Sequence, residues 1–295
     1  MKRLRAQPWL ALARSTLVAA LALLSGCDVW RRGFLNAQGP VAAGERHLFW
    51  IVVIVMLFVI GPVLLLTPLF AWHYRLRNSR SAFRPKWDFS WPLEALIWIP
   101  PSLIVAGLAV LLWRGAREFD PYTPVPLASA PLEVQAVAFD WKWLFIYPKS
   151  GVAAVNELVI PVGRPVHMTL TSTTVMQSLF IPALAGQIYA MGGMTTQLNL
   201  AADRAGTFLG ENTQFNGVGY PFEKFRVSSV PDADFNRWIA RLRSSGAALD
   251  GAAVQRLSQK TVEPNPVFFA RASPALFDHI LAGVRAGTRS SEAPR

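Results

Sequence analysis

Residues 132–147 read LEVQAVAFDWKWLFIY, and the periodicity of this stretch decides the fold. Leu132, Val134, Ala136 and Ala138 fall on one side, with Glu133, Gln135 and Val137 on the other. A period of two is the signature of a β-strand. Short stretches of similar character follow at Trp143–Tyr147, Glu157–Pro161, Val166–Thr171, Thr196–Ala201 and Phe225–Val230, divided by Gly, Pro and Asn clusters. Several short strands within about a hundred residues predict an antiparallel sandwich or barrel with a core of its own.

Upstream of a Pro-rich linker, Pro121 to Pro131, the chain changes character. Leu48–Trp72 carries no Asp, Glu, Lys or Arg. About 25 residues at 1.5 Å each reach roughly 37 Å, enough to cross a ~30 Å hydrocarbon layer. Leu93–Trp113 is a second span, interrupted by Pro100-Pro101 and charged only at Glu94. Gly61, Pro62 and Pro68 are expected to kink the first span, which helices in a bundle tolerate. Trp50 and Trp72 flank the first span, and Trp91 and Trp113 the second, as interfacial anchors do. The loop between the spans holds Arg75, Arg77, Arg80, Arg84 and Lys86 against Asp88. The positive-inside rule makes that loop cytoplasmic and puts both ends of the mature chain outside. Glu94 has two readings: a carboxylate favoured at a helix N-terminus at headgroup level, or a contact with a partner subunit.

Residues 2–5 are basic and Leu17–Leu24 is a short apolar core, the layout of a signal peptide. It ends in Leu24-Ser25-Gly26-Cys27, which resembles the bacterial lipobox, whose cysteine is acylated and begins the mature chain. Cys27 is the only cysteine, so neither an internal disulfide nor a cysteine-rich metal site is available. A buried free thiol in an uncleaved helix is the competing reading. Asp28 after the cysteine favours retention in the inner membrane, by the pattern of enteric-type bacteria. The topology from the lipobox agrees with that from the loop charges.

The chain has 295 residues, 52% hydrophobic and 16% charged, too apolar for an ordinary soluble protein and too charged for a wholly membranous one. The net charge is +11; removing Lys2, Arg3, Arg5 and Arg14 with the signal leaves 11 − 4 = +7. These charges form no stripe with interleaved aromatics, so no nucleic-acid partner is expected. After Val230, Pro231-Asp232 opens a helix with Phe235, Trp238, Ile239 and Leu242 at helical spacing. Further helical pieces are expected over Gly251–Gln259 and Pro274–Arg285, with Ala286–Arg295 disordered.

Gly210–Phe225 reads GENTQFNGVGYPFEKF. Asn212, Asn216, Tyr220 and Glu223 stand at intervals of four, four and three, the spacing of a thiolate-bridged copper loop with no soft ligand in it. His47 and His73 flank the first span, and His167 and His279 are far from the loop, so each is read as structural. Met176, Met191 and Met194 are read as packing residues.

The layout resembles subunit II of the haem–copper respiratory oxidases. The strings Phe139-Asp-Trp-Lys-Trp-Leu-Phe-Ile-Tyr-Pro148 and Ser178-Leu-Phe-Ile-Pro-Ala-Leu-Ala-Gly-Gln-Ile-Tyr-Ala-Met-Gly-Gly193 carry the likeness, which runs from about Glu45 to Val230 and on into the tail. They are most similar to the ubiquinol-oxidase branch of cytochrome o type. The resemblance implies a two-helix transmembrane hairpin followed by a periplasmic cupredoxin-like Greek-key β-barrel and a C-terminal helical appendage. The partition is 1–26 signal peptide, 27–120 lipid-anchored N-terminus and spans, 121–230 cupredoxin-like domain, and 231–295 appendage and tail.

In the cytochrome c oxidase branch this domain holds two coppers. Matched residue by residue, the cysteines fall on Asn212 and Asn216, the loop histidine on Tyr220, the methionine on Glu223, the carbonyl on Gln214 and the distant histidine on Gln177. Every side-chain ligand is changed, so no metal is expected here. Trp141 and Trp143, where that branch receives electrons, become core or interface aromatics. The implied role is a non-redox subunit of a proton-pumping ubiquinol oxidase in the bacterial inner membrane. Haems, copper and the quinol site then lie in subunit I, with subunits III and IV as further partners. A cytochrome c oxidase subunit and a membrane-tethered periplasmic assembly or binding lipoprotein are the alternatives. No catalytic triad, phosphate loop or carboxylate pair supports a free-standing enzyme.

Overall fold

The computed structural model describes residues 33–75, 78 and 86–292. The signal peptide, Cys27, Asp28 and the loop arginines Arg77, Arg80 and Arg84 lie outside the described residues. The chain divides into two compact units, Gly44–Thr123 and a second made of Met1–Ala43 with Pro124–Arg295.

The first unit is built from α1 (Pro40–His73, whose opening turn belongs to the other unit) and α2 (Trp91–Glu118). Both helices are long and apolar enough to cross a membrane, and both outrun the spans expected from hydropathy. Their apolar side chains stay exposed along most of their length, as lipid-facing surfaces must. Glycine sets the close approaches: a Cβ on Gly44 would lie 2.2 Å from the Phe119 ring, and one on Gly115 would lie 2.7 Å from Leu48. Pro62 and Pro68 lie inside α1, and Pro100 and Pro101 inside α2, without ending either helix. Arg117 lies over the Trp113 ring at 4.5 Å and Arg75 over Trp72 at 5.1 Å, pairing cations with aromatics at the helix ends. Glu94 sits in the first turn of α2 and accepts from Trp98 Nε1 at 3.1 Å.

The second unit is a sandwich of two sheets. Its strands are β1 (Leu132–Phe139), β2 (Lys142–Tyr147), β3 (Val152–Val155), β4 (Glu157–Pro161), β5 (Val166–Ser172), β6 (Gln177–Ile181), β7 (Ala185–Ala190), β8 (Thr196–Leu200), β9 (Gly206–Asn212), β10 (Lys224–Val230), β11 (Ala247–Leu249) and β12 (Val267–Ala272). One sheet runs β11-β12-β3-β2-β1-β5-β8 and the other β4-β10-β9-β6-β7. The pairing is not purely antiparallel, because β1 with β5, β10 with β4, and β11 with β12 run parallel. Such pairs need long crossovers, and here each partner is reached after intervening elements.

Leu132, Val134, Ala136 and Ala138 join Trp143, Phe145, Tyr147, Leu179 and Phe225 in the core between the sheets. The opposite face of the same sheet is also covered. Val137 and Phe139, with Leu144 and Ile146, pack against Leu249, Leu257, Phe269, Phe277 and Leu281 of the C-terminal appendage. Val137, grouped by alternation with the polar face, is therefore fully buried. β2 is buried at all six positions for the same reason.

The appendage consists of α3 (Asp232–Ser245), α4 (Gly251–Leu257) and α5 (Leu276–Glu292), with β11 and β12 extending the larger sheet. Residues 286–292, expected to be disordered, are helical, because α5 continues to Glu292, and residues 293–295 lie outside the described residues. Lys142 points to this layer. Its Nζ donates to Leu257 O (3.0 Å), Gln259 O (2.7 Å) and Thr261 Oγ1 (3.1 Å). Asn156 accepts from Trp143 N and donates to Glu263 O, fastening the next residues of the same connection.

The segment leading into α1 and the first turn of that helix bond to the rest of this unit through Gln38 N to Ala183 O, Ala42 N to Leu184 O and Asp203 N to Gln38 O. Gly39 makes this fit possible, because a Cβ there would lie 2.1 Å from Ala201 O.

Candidate functional site

At one end of the sandwich, strand alternation turns a set of polar side chains inward. Gln177 shares a face with Leu179 and Ile181, Trp143 with Phe145, and Glu223 with Phe225, all core residues. Asn212 stands directly opposite Leu179. Gln177, Asn212 and Glu223 are consequently buried, although each is polar.

These residues bond chiefly to one another and to the nearby backbone. Asn212 Oδ1 accepts from Ser178 N and Gln214 N, each at 2.9 Å. Asn212 Nδ2 donates to Gln214 O (2.9 Å) and to Glu223 Oε2 (3.0 Å). Asn216 Nδ2 donates to the same Oε2 at 2.6 Å. Gln177 Nε2 donates across the sandwich to Phe139 O at 3.0 Å. The loop thus closes on itself through the Glu223 carboxyl group.

Four atoms in this cluster are buried without a hydrogen-bond partner: Trp143 Nε1, Gln177 Oε1, Asn216 Oδ1 and Glu223 Oε1. Trp143 lies near enough to favour the Glu223 anion, yet the two make no bond of regular geometry. Burial raises the Glu223 pKa to about 7; the amides of Asn212 and Asn216 pull it the other way, and Asp140 pushes it up. Among the described residues, no three of His, Cys, Asp and Glu gather to hold a metal ion.

The loop wraps around Trp141, which adopts φ 66° and donates from Nε1 to Asn216 O at 3.3 Å. Gly219 is needed for that wrap, because a Cβ there would lie 2.2 Å from the indole. Tyr220 is not part of the inward cluster; its ring packs on Phe215 at 5.7 Å. Gln214 contributes backbone atoms only. Phe215, Val218 and Phe222 stand out from the loop, with Val218 89% exposed.

Of the other candidates, His167 Nδ1 pairs with Asn199 Oδ1 at 2.9 Å on β5, far along the sheet from the loop. His279 lies on α5. Met176 and Met194 are exposed rather than packed, since both sit in loops at strand ends. Asn212, Asn216 and Glu223 stood out by their spacing, together with Tyr220, and Gln177 through the family resemblance, whereas the place of Trp143 Nε1 required the sheet-to-sheet geometry.

Residues 148–230 match the family model of the cytochrome c oxidase subunit II periplasmic domain, and the sandwich is a cupredoxin-like fold. The chain is 38% identical over 277 residues to the cytochrome bo(3) ubiquinol oxidase subunit 2 of Pseudomonas aeruginosa, covering 94% of this chain and 82% of that protein. It is 41% identical over 273 residues to the ubiquinol oxidase subunit 2 of Acetobacter aceti, covering 92% and 87%. Among solved structures, the periplasmic domain of subunit II of cytochrome oxidase of Bradyrhizobium japonicum aligns at 23% identity and a TM-score of 0.37, covering 39% of this chain and 95% of that one. Identity at this level over most of both chains shows that the chain belongs to the ubiquinol oxidase subunit II family.

Proposed function

We propose that this chain is the structural, non-redox subunit II of a terminal oxidase that oxidises ubiquinol, reduces oxygen to water and pumps protons. The observation that carries the reading is the mutual bonding of Asn212, Asn216 and Glu223. By resemblance these positions hold two thiolates and a thioether in the copper-bearing branch.

The residues do not fit a two-copper centre. Such a centre needs thiolate bridges to share its electron, and the domain offers amides and one carboxyl group instead. The amide nitrogens already point at the carboxyl oxygen that would otherwise face a cation. Without a metal, the subunit has no redox group to relay electrons from a soluble cytochrome. Electrons then enter subunit I from a donor dissolved in the membrane, and the relatives' names point to ubiquinol. Haems and the oxygen-site copper belong to subunit I, and subunits III and IV complete the assembly.

This reading places the protein in the bacterial inner membrane, anchored by α1, α2 and an acylated Cys27, with the β-domain in the periplasm. The partition at residues 26, 120 and 230 follows the same reading. Phe215, Val218 and Phe222 are the part of the retained loop that would fill a surface of subunit I.

The test is to purify the intact complex and supply ubiquinol or reduced cytochrome c in turn. Rapid oxygen consumption with ubiquinol and little with cytochrome c is expected. Brisk oxidation of cytochrome c would overturn the assignment.

A further inference from the structure

The Glu223 carboxyl group is buried with two amide donors on Oε2 and no partner on Oε1. A protonated acid there needs an acceptor for its O–H, and turning the Asn216 amide over exchanges Nδ2 for Oδ1. Oδ1 then accepts an O–H from Glu223 Oε2, and Nδ2 takes the unpartnered place. Asn212 Nδ2 still donates to Oε2 in either state.

We propose that Glu223 is a proton-binding site, with Asn216 rotating its amide to accept the bound proton, and that this proton sets how tightly the 213–222 loop is held. In the protonated state the acid donates to Asn216, and no buried charge remains. In the ionised state Glu223 draws on Asn212, Asn216 and the poorly aligned Trp143 N–H. Either state leaves Gln177 Oε1 and one atom of the Asn216 amide unpartnered, so the buried charge is what makes the ionised state the costlier one in a water-poor interior.

The charges around the cluster act in both directions. Asp140, at the β1–β2 turn, disfavours a second negative charge; it accepts from Thr174 Oγ1 at 2.9 Å and pairs with Lys260 at 3.9 Å. Lys142, on β2, attracts the Glu223 anion, yet it spends its three hydrogens on Leu257, Gln259 and Thr261 of the appendage rather than on Glu223. Glu263 lies on that appendage side, and Tyr220, on the loop itself, faces Phe215. No cation therefore bonds the Glu223 carboxyl group among the described residues. The inference does not depend on which donor feeds the oxidase.

Hydrogen exchange of the loop in the intact complex tests the proposal, with rates corrected for intrinsic chemistry at each pH. Loop opening exposes Glu223 to water, so linkage predicts about a tenfold rise in opening between about pH 6 and about pH 8. Glu223→Gln, which carries a fixed donor and acceptor, should abolish that rise while leaving exchange elsewhere in the sandwich unchanged. No rise in the unaltered protein, or the same rise in Glu223→Gln, would overturn the proposal. Should Glu223→Gln fail to assemble, Glu223→Met serves. It removes the titrating group and keeps a side chain of similar length, so the rise with pH should vanish. A rise that persists would equally overturn the proposal.

Discussion

Lys142 and Glu223 are both buried ionisable groups near the same end of the sandwich, and they are satisfied differently. Lys142 faces outward from β2, where two carbonyls and a hydroxyl meet its three hydrogens. Glu223 faces inward, where two amides share one of its oxygens and the other lacks a partner. A saturated group acts as a fixed pin, and an undersaturated one invites a change of protonation. The contrast separates a structural task, holding the appendage to the barrel, from an adjustable one at the loop.

Removing the pin should have the largest effect. Lys142→Met keeps the stem but leaves Leu257 O, Gln259 O and Thr261 Oγ1 without their donor, a loss of about 4 kcal/mol. Chemical unfolding should show this loss, with protection lost first around residues 259–263. Unchanged stability would mean that the apolar contacts beneath the appendage suffice alone.

Glu223→Gln should act in the opposite direction and only at higher pH. Its folded pKa of about 7 lies above the unfolded value of 4.5. Protonation therefore contributes stability fully below about pH 4.5, and this contribution is lost as pH rises through about 7. The difference corresponds to roughly 3 kcal/mol. Glu223→Gln should accordingly equal the unaltered protein in acid and exceed it in stability near pH 8. A variant weaker at both pH values would remove the contrast with Lys142.

Asn212→Ala comes next. It strips Ser178 N, Gln214 N and Glu223 of a shared partner, and about 2 kcal/mol should be lost. If the assembled complex survives, quinol turnover should be unchanged; loss of turnover in an intact complex would count against a structural role. Phe215→Ser with Val218→Ser should have the smallest effect on the chain itself, within about 0.5 kcal/mol. The same pair should lower co-purification with the rest of the oxidase, which pull-down from solubilised membranes would measure.

The membrane hairpin was legible because lipid imposes an uninterrupted apolar length, and the first barrel strand because its inner face alternates. Alternation failed where a second layer covers the sheet. Val137 looked like a surface position, and Val152–Val155 carries no polar face to mark it as β3. Strand β12, Val267–Ala272, lay in a tail read as helical, since its partner β3 comes from far upstream. The spacing of Asn212, Asn216 and Glu223 marked the site. It did not reveal that the three bond to one another, because their convergence depends on the pairing of β6, β9 and β10. Trp143 Nε1 was hidden for the same reason: sequence gives the residue, and only the opposing sheet gives its neighbour.

On the proposed function, this loop holds a hydrogen-bonded carboxyl group where the copper-bearing branch holds its metal. Metal analysis of the intact, purified oxidase against its haem content tests it most directly. The account predicts copper at the level of the oxygen-reducing site alone, unchanged in Asn212→Ala. Two further copper atoms per complex, lost in that variant, would contradict it.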